Sequence, residues 1–569
     1  MPKNSSHKFV VYQMMFHLWG NQNQEVLENG SLQQNGVTKF KDVSSNALKA
    51  LKKKGFTHLY ATGLLEHATM EDMSKYGSPI DHPDVVKGRS GSPFAIKDYF
   101  DVNPFFADQP ENRLEEFQLM LDRIHQEGLK LIIDFVPNHL ARNYYSDKKP
   151  KGIVDFGAKD DVSKSFDPNN NFYYLPGTQF SIPEGVNSPV KVTIPYVEIP
   201  AKVSGNNVFN AKPSINDWFE TVKLNYGVDL QNHNKTHFHP IPDTWNKMTE
   251  VLSYWTSKGV DGFRCDMAEM VPVEFWEHAI SKIKAQNPNL IFVAEIYQPA
   301  MYKEYIFKGG FDYLYDKVGL YDAIRRLMEN KDYATVEDIT KVWQHESGDF
   351  AQHMLRFLEN HDEQRINTPS FAQHNLWSTI PGMAVTALLH DGPLMIYSGQ
   401  EFGEKATEKE GFNQADDRTS MFDFYRIESH QRWLNGGKFN QDLLTAEEKA
   451  LDDFYVDLMK FAQKEAVFTS GKFFDLQYAQ GTFYDRKKVY SFLRFTENEA
   501  NLVICNFDAH QTKQFLIEIP ALAMDMMQRN QVNLTKKKYW IAPNIAGQAQ
   551  VKGHQITIPA NSVMILNLK

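Results

Sequence analysis

Four stretches, far apart in the chain, each run from an apolar segment directly into charged and imidazole side chains. They are Asp134-Phe135-Val136-Pro137-Asn138-His139, Asp261-Gly262-Phe263-Arg264-Cys265-Asp266, Val293-Ala294-Glu295-Ile296-Tyr297 and Leu358-Glu359-Asn360-His361-Asp362-Glu363-Gln364-Arg365. Apolar runs of this length read as buried parallel strands. Polar groups that close several such strands need a fold in which all strand ends meet at one mouth. Four further runs have strand character: Phe9–Met15, Phe56–Ala61, Phe311–Tyr315 and Pro393–Tyr397. Between the strands lie helical patterns. Leu114, Phe117, Leu121 and Ile124 share one helical face, as do Trp245, Met248, Leu252 and Trp255, and Gly128 and Gly259 stand as stops. Eight β units alternating with helices predict a closed (β/α)8 barrel, a TIM barrel in the α/β class. An open doubly wound sheet is the alternative.

The rhythm breaks once. From the third strand to the fourth there are more residues than a βα unit needs, and the stretch Ala141 to Asp217 is rich in Asn, Asp, Pro and Gly. It reads as a loop-rich domain inserted into the barrel. Beyond Phe474, Val489–Phe495, Asn501–Asn506, Gln514–Ile519 and Ser562–Leu568 are strand-like with turn residues between, which predicts an all-β sandwich. The expected organisation is barrel (1–140), inserted domain B (141–217), barrel again (218–473) and C-terminal β-sandwich (474–569).

Composition narrows the function class. The chain has 569 residues, 42% hydrophobic and 23% charged, with net charge −10, so it is globular and a poor electrostatic match to nucleic acid or anionic membrane. Two cysteines exclude a disulfide scaffold. No apolar run approaches the ~20 residues of a membrane helix. The start of the chain reads poorly as a secretory signal, so a cytoplasmic location is expected, though a trimmed secreted or periplasmic chain would look the same.

The strand ends carry the chemistry. Arg264 and Asp266 are two apart on a strand, so their side chains point the same way, and a guanidinium beside a carboxylate favours its ionised form. Glu295 ends the next strand. Two carboxyls with separated pKa values can serve as nucleophile and acid/base, the requirement for retaining glycoside hydrolysis at a separation of ~5–5.5 Å. Asp362 adds a third carboxylate, with His139 and His361 as donors to sugar hydroxyls. Taken singly, an acid at a strand end is more often a cap or loop ligand and an Arg–Asp pair a structural ion pair. The set of three carboxylates, two histidines and an arginine is what departs from that.

These four stretches, in this order, resemble the four signature regions of the α-amylase family, glycoside hydrolase family 13. Gly55–Thr69, Ser92–Pro104 and Pro393–Gly403 resemble its second-strand, early-loop and closing-strand regions. The resemblance implies Asp266 as nucleophile, Glu295 as general acid and then base, and Asp362 as stabiliser of the distorted sugar. It implies substrate contacts from Arg264, His139, His361 and Phe94, with Arg365 orienting Asp362 or substrate. It also implies calcium, with Asn138 as a ligand, and no organic cofactor; Asp155, Asp160, Asp161 and Asp167 are further acids in the insert. The expected activity is retaining cleavage of α-1,4-linked glucans or maltooligosaccharides, an oligo- or polysaccharide being the partner. Three departures stand out: Phe94 where many members have Tyr, Ala95 at a usually acidic position, and Glu269-Met270 where many α-amylases carry Lys-His. They raise a transglycosylase or disaccharide-acting relative as alternatives. An inactive amylase-like binding protein, like the transporter heavy chains, is a third reading, which the three intact carboxylates oppose. Cys265 reads as a small buried side chain.

Overall fold

The computed structural model describes residues 8–406, 412, 415–532, 534, 539–541 and 549–568. Eight parallel strands form one sheet: β1 (Val10–Met15), β2 (His58–Thr62), β3 (Lys130–Phe135), β4 (Gly262–Cys265), β5 (Ile291–Ala294), β6 (Tyr313–Tyr315), β7 (Met354–Leu355) and β8 (Leu394–Tyr397). Each pairs with its sequence neighbour, and β8 returns to β1. The last gap closes at a parallel bridge between Arg356 and Leu394, with the Met395 amide donating to the Arg356 carbonyl at 2.8 Å. The sheet is therefore a barrel, and its strands are buried on both faces, which is why they read as continuous apolar runs.

The helices form where periodicity and caps agree. Helix α1 (Ser45–Lys54) starts with the Ser44 side chain accepting from the Ala47 amide and stops at Gly55. Helix α2 (Arg113–Gln126) follows the early loop. Helix α3 (Asp243–Lys258) buries Trp245, Met248, Leu252 and Trp255 and ends on Gly259 at φ 97°, a left-handed conformation that glycine adopts without strain. Each such large apolar side chain contributes roughly 1.5–3 kcal/mol on burial.

The inserted stretch is loop-rich, with only two-residue strands at Tyr174–Leu175 and Ala201–Lys202. Its two ends are joined: His139–Ala141 pairs antiparallel with Thr221–Lys223, setting His139 opposite Lys223. After β8 a long helix, α4 (Ala446–Lys464), packs the face of Leu451, Phe454 and Leu458 inward. The C-terminal part has a five-stranded sheet in the order Lys472–Asp475, Val489–Phe495, Ala500–Asn506, Ser562–Leu568, Tyr539–Ile541, and a three-stranded sheet of Lys513–Leu516, Gln555–Ile558 and Gln550–Lys552. A short helix, Ala521–Met526, interrupts the β pattern. Among the described residues, no helix is long and apolar enough to cross a membrane.

Candidate active site

The four polar strand ends converge. A cavity of about 440 Å³ at the carboxyl ends of the strands is lined by Phe94, His139, Asp266, Glu295 and Asp362 together with Trp218, Tyr297 and Met421. Its floor is organised by Arg264 at the end of β4. One terminal nitrogen of that guanidinium donates to Asp266 Oδ1 at 2.8 Å. The other lies 2.8 Å from Glu295 Oε2, and Asp134 Oδ1 is 3.6 Å from the first. The nucleophile candidate and the acid candidate thus sit on neighbouring nitrogens of one planar group, and the guanidinium carbon lies 5.5 Å from the Phe94 ring and 5.4 Å from the Tyr315 ring.

Asp266 is held by one oxygen only. Its Oδ2 is buried without a hydrogen-bond partner and lies 4.0 Å from His139 Nε2. Burial pushes the Asp266 carboxyl well up, and Arg264 opposes that shift. The next residue, Met267, adopts a left-handed conformation (φ 44°), an uncommon one for a side-chain-bearing residue, and its amide donates to Glu295 Oε2 at 2.8 Å. The Tyr297 hydroxyl donates to Glu295 Oε1 at 2.5 Å. Asp134 anchors the floor from below, accepting from the Tyr60 hydroxyl at 2.5 Å and the Gly63 amide at 3.0 Å, and burial raises its carboxyl to about 6 against the pull of Arg264.

Burial keeps both histidines neutral; His139 lines the cavity, and His361 lies behind Phe94 and Asp362, which do. Gln13 donates to His361 Nδ1 at 2.8 Å, so its proton resides on Nε2, 3.2 Å from Asp362 Oδ2. Asn138 Nδ2 lies 3.1 Å from His139 Nδ1 and donates there, which leaves the His139 Nε2 proton aimed at the cavity. Burial, then Lys223 and Lys87, depress His139 to about 3. Phe94 stacks on the His361 ring at 5.1 Å. Asp362 lines the cavity half-buried; desolvation there and the charge of Glu295 push its carboxyl up to about 7.

Two expectations are corrected. Arg365 does not reach Asp362 or the cavity: it is fully buried, donating to Glu359 Oε2 at 2.8 Å, Thr419 Oγ1 at 2.9 Å and the Ser398 carbonyl at 3.0 Å. Glu359 lies six residues before it and is the nearer carboxylate. Asn138 does not fit a calcium ion. Its Oδ1 accepts from the Lys223 ammonium, which also donates to the Met270 carbonyl at 3.0 Å, and its Nδ2 donates to the Gly205 carbonyl at 2.8 Å. An ammonium thus stands against the oxygen that would ligate the metal. The acids of the insert are engaged too: Asp160 with the Asn171 and Phe172 amides and the Tyr174 hydroxyl, Asp155 with Lys149, Asp161 and Asp167 with Lys164.

Glu269 accepts the Tyr297 and Gln298 amides at 2.9 and 3.1 Å, so it shapes the loop after Glu295. It also lines, with Met267, Met270 and Gln298, a second cavity of about 510 Å³. Cys265 is a free, buried thiol. Sequence reasoning missed Tyr297, Trp218 and Lys223. Tyr297 stood two residues after Glu295 in the same motif and had a signal; Trp218 and Lys223 belong to the returning end of the insert, whose pairing with His139 no local pattern reveals.

The comparisons with known proteins agree with this geometry. The alpha amylase catalytic domain model matches residues 45–472. Alpha-amylase 3 of Dictyoglomus thermophilum is 22% identical over 404 residues, covering 67% of this chain and 68% of that protein. Neopullulanase 2 of Thermoactinomyces vulgaris is 21% identical over 387 residues, covering 67% of this chain and 53% of that protein. The solved structure of a maltogenic alpha-amylase, AmyB, from Thermotoga neapolitana superposes with a TM-score of 0.60 at 17% identity, over 99% of each chain. Barrel closure, the C-terminal sheets, the convergent carboxylates and the matching catalytic domain together lead to one statement: the chain belongs to the α-amylase family of glycoside hydrolases.

Proposed function

We propose that the protein is a retaining α-glycosidase acting on α-1,4-linked glucans or maltooligosaccharides. The observation that carries this is the asymmetry of Asp266, which lines the cavity: Oδ1 is fixed by Arg264, while Oδ2 has no hydrogen-bond partner. Arg264 beside it favours the ionised form, and the carboxylate oxygen not held by Arg264 is the one free to attack. In this reading Oδ2 attacks the anomeric carbon and forms a glycosyl ester as the glycosidic C–O bond breaks. Glu295 gives its proton to the departing oxygen. It then takes a proton from water, whose oxygen attacks the same carbon and releases Asp266. Arg264 and the Met267 amide bind the carboxylate that Glu295 becomes. Asp362, with His361 and His139, contacts the sugar hydroxyls, and Phe94 packs against the ring. No step passes through a metal.

Asp266→Asn tests the assignment. Turnover of maltoheptaose should fall by at least ~10⁴-fold, as when a nucleophile is removed from a covalent mechanism, and proton NMR on the parent enzyme should show the α-anomer formed first. Near-parent turnover in Asp266→Asn, or the β-anomer first, would sink the reading. Transglycosylation is the second reading. The second cavity bordering Met267 and Glu269 favours it, as room for a sugar acceptor beyond the cleaved bond. Longer products from maltoheptaose, with little free reducing sugar, would decide for transfer.

A further inference from the structure

The catalytic cavity has two unlike ends. In a closed ring of eight strands, β5, which leads into Glu295, stands opposite β1. The loops that flank β1 are the one after β2, carrying Lys87 and Ser92, and the one after β8, carrying Met421 and Phe422. These four residues line the cavity together with Glu220, from the returning end of the insert. Lys87 is 7% exposed and Glu220 4%, and Ser92 and Met421 are buried as well. On the Glu295 side the lining opens: Met267, Tyr297 and Lys317 are half-buried and Val318 is 38% exposed.

Three segments of the chain are locked together at the buried end. The Lys87 ammonium lies 3.1 Å from Glu220 Oε2 and donates to the Asp217 carbonyl at 3.2 Å. It also stands 5.3 Å from the Phe219 ring and 5.7 Å from the Phe412 ring, and Phe412 packs edge-on against Phe422 at 5.2 Å. The Ser90 amide donates to the Phe422 carbonyl at 2.9 Å. At Gly88 (φ 64°) a Cβ would sit 2.3 Å from that same carbonyl oxygen, so backbone rests on backbone there. Two backbones in van der Waals contact leave no passage for a sugar chain between them. The returning strand orders the two ends: Glu220 is at the wall, while Lys223, about 10 Å further along it, lines the second cavity with Met267 and Glu269.

Chemistry decides which end takes which part of the substrate. An acid stands beside the oxygen it protonates, so the leaving group departs past Glu295, toward the open end. The sugar that joins Asp266 then turns its non-reducing side, where an α-1,4 chain would continue through O4, to the wall. We propose that the enzyme cuts α-glucans from the non-reducing end, the terminal glucose stopping against the wall with its free hydroxyls on the Lys87 ammonium and the Glu220 carboxylate. That pair offers a donor and an acceptor side by side, the two roles a hydroxyl fills in return. The proposal rests on the glycosidase reading above and adds the direction and end-specificity of attack.

The test gives the full chain three substrates: maltoheptaose, maltoheptaose with a 4,6-O-ethylidene cap on its non-reducing glucose, and α-cyclodextrin, which has no end. Products are resolved by chromatography. The parent should cleave the capped chain at least ~100-fold more slowly than the free one, in kcat/KM, and α-cyclodextrin should resist it as strongly. Lys87→Ala should raise KM for maltoheptaose and shrink the difference between free and capped chains at least ~10-fold, a ratio that a general loss of folding would leave unmoved. If Lys87→Ala fails to fold, Glu220→Gln gives the same ratio. Similar rates on free and capped chains, ready opening of α-cyclodextrin, or an unchanged ratio in the folded variants would each overturn the proposal. A parent inactive on all three would instead defeat the glycosidase reading beneath it.

Discussion

The Tyr297 hydroxyl donates to Glu295 Oε1 at 2.5 Å, while Glu295 Oε2 is held by the Met267 amide and Arg264. Tyr297→Phe removes one donor and leaves the ring. A hydrogen bond to a charged acceptor contributes about 1.5–3 kcal/mol. As Glu295 gives up its proton, negative charge grows on the oxygen that Tyr297 faces, so the bond strengthens toward the transition state. Losing it should lower kcat/KM on maltoheptaose by about 10–150-fold, since each 1.36 kcal/mol is tenfold in rate. The location of the loss is the sharper readout. A 4-nitrophenyl maltooside departs with little protonic help, so its bond cleavage should barely respond to the substitution. The assay is therefore a ratio: kcat/KM of the variant on both substrates, beside a thermal melt. An equal loss on both, or a melting temperature lowered by several degrees, would show that Tyr297 merely supports the fold and would refute the reasoning.

Two further outcomes follow from the site and the core. Asn138→Leu leaves the buried Lys223 side chain with the Met270 carbonyl alone; losing a hydrogen bond to a charged group costs about 1.5–3 kcal/mol, so melting should fall below the parent, and added calcium should not restore the difference. His17 and His430 are buried and held near 3, chiefly by burial. Unfolded imidazoles take up protons below ~6.5 whereas these two do not, so the unfolded chain binds more protons and stability falls as pH drops from 6.5 toward 3. At pH 5 each should have cost roughly 2 kcal/mol, read as a lower denaturation midpoint than at pH 7 and reduced by His17→Phe.

Much of this architecture was legible because the barrel strands are buried on both faces and so appear as unbroken apolar runs, with polar residues starting where the strands end. Arg264, Asp266 and Glu295 were legible for the same reason: strand geometry dictates where their side chains point. The misreadings lie where partners come from elsewhere in the chain. Asn138 was assigned by motif position, but its occupant is Lys223, 85 residues on, brought opposite His139 by a pairing between the two ends of the insert. Arg365 was placed by motif as well, yet Glu359, Thr419 and the Ser398 carbonyl each bind one of its three nitrogens.

The antiparallel ladder between His139–Ala141 and Thr221–Lys223 has a consequence for how such a chain can diversify. It fixes the root of the excursion in register beside the cavity, independently of what hangs from it. Segments of different length or shape could replace the loops from Arg142 to Ser204 while His139 keeps its aim, because Gly205, which holds Asn138, and Trp218, which lines the cavity, stay with the stem. The stem behaves like a threaded fitting on which evolution or an engineer can change the nozzle.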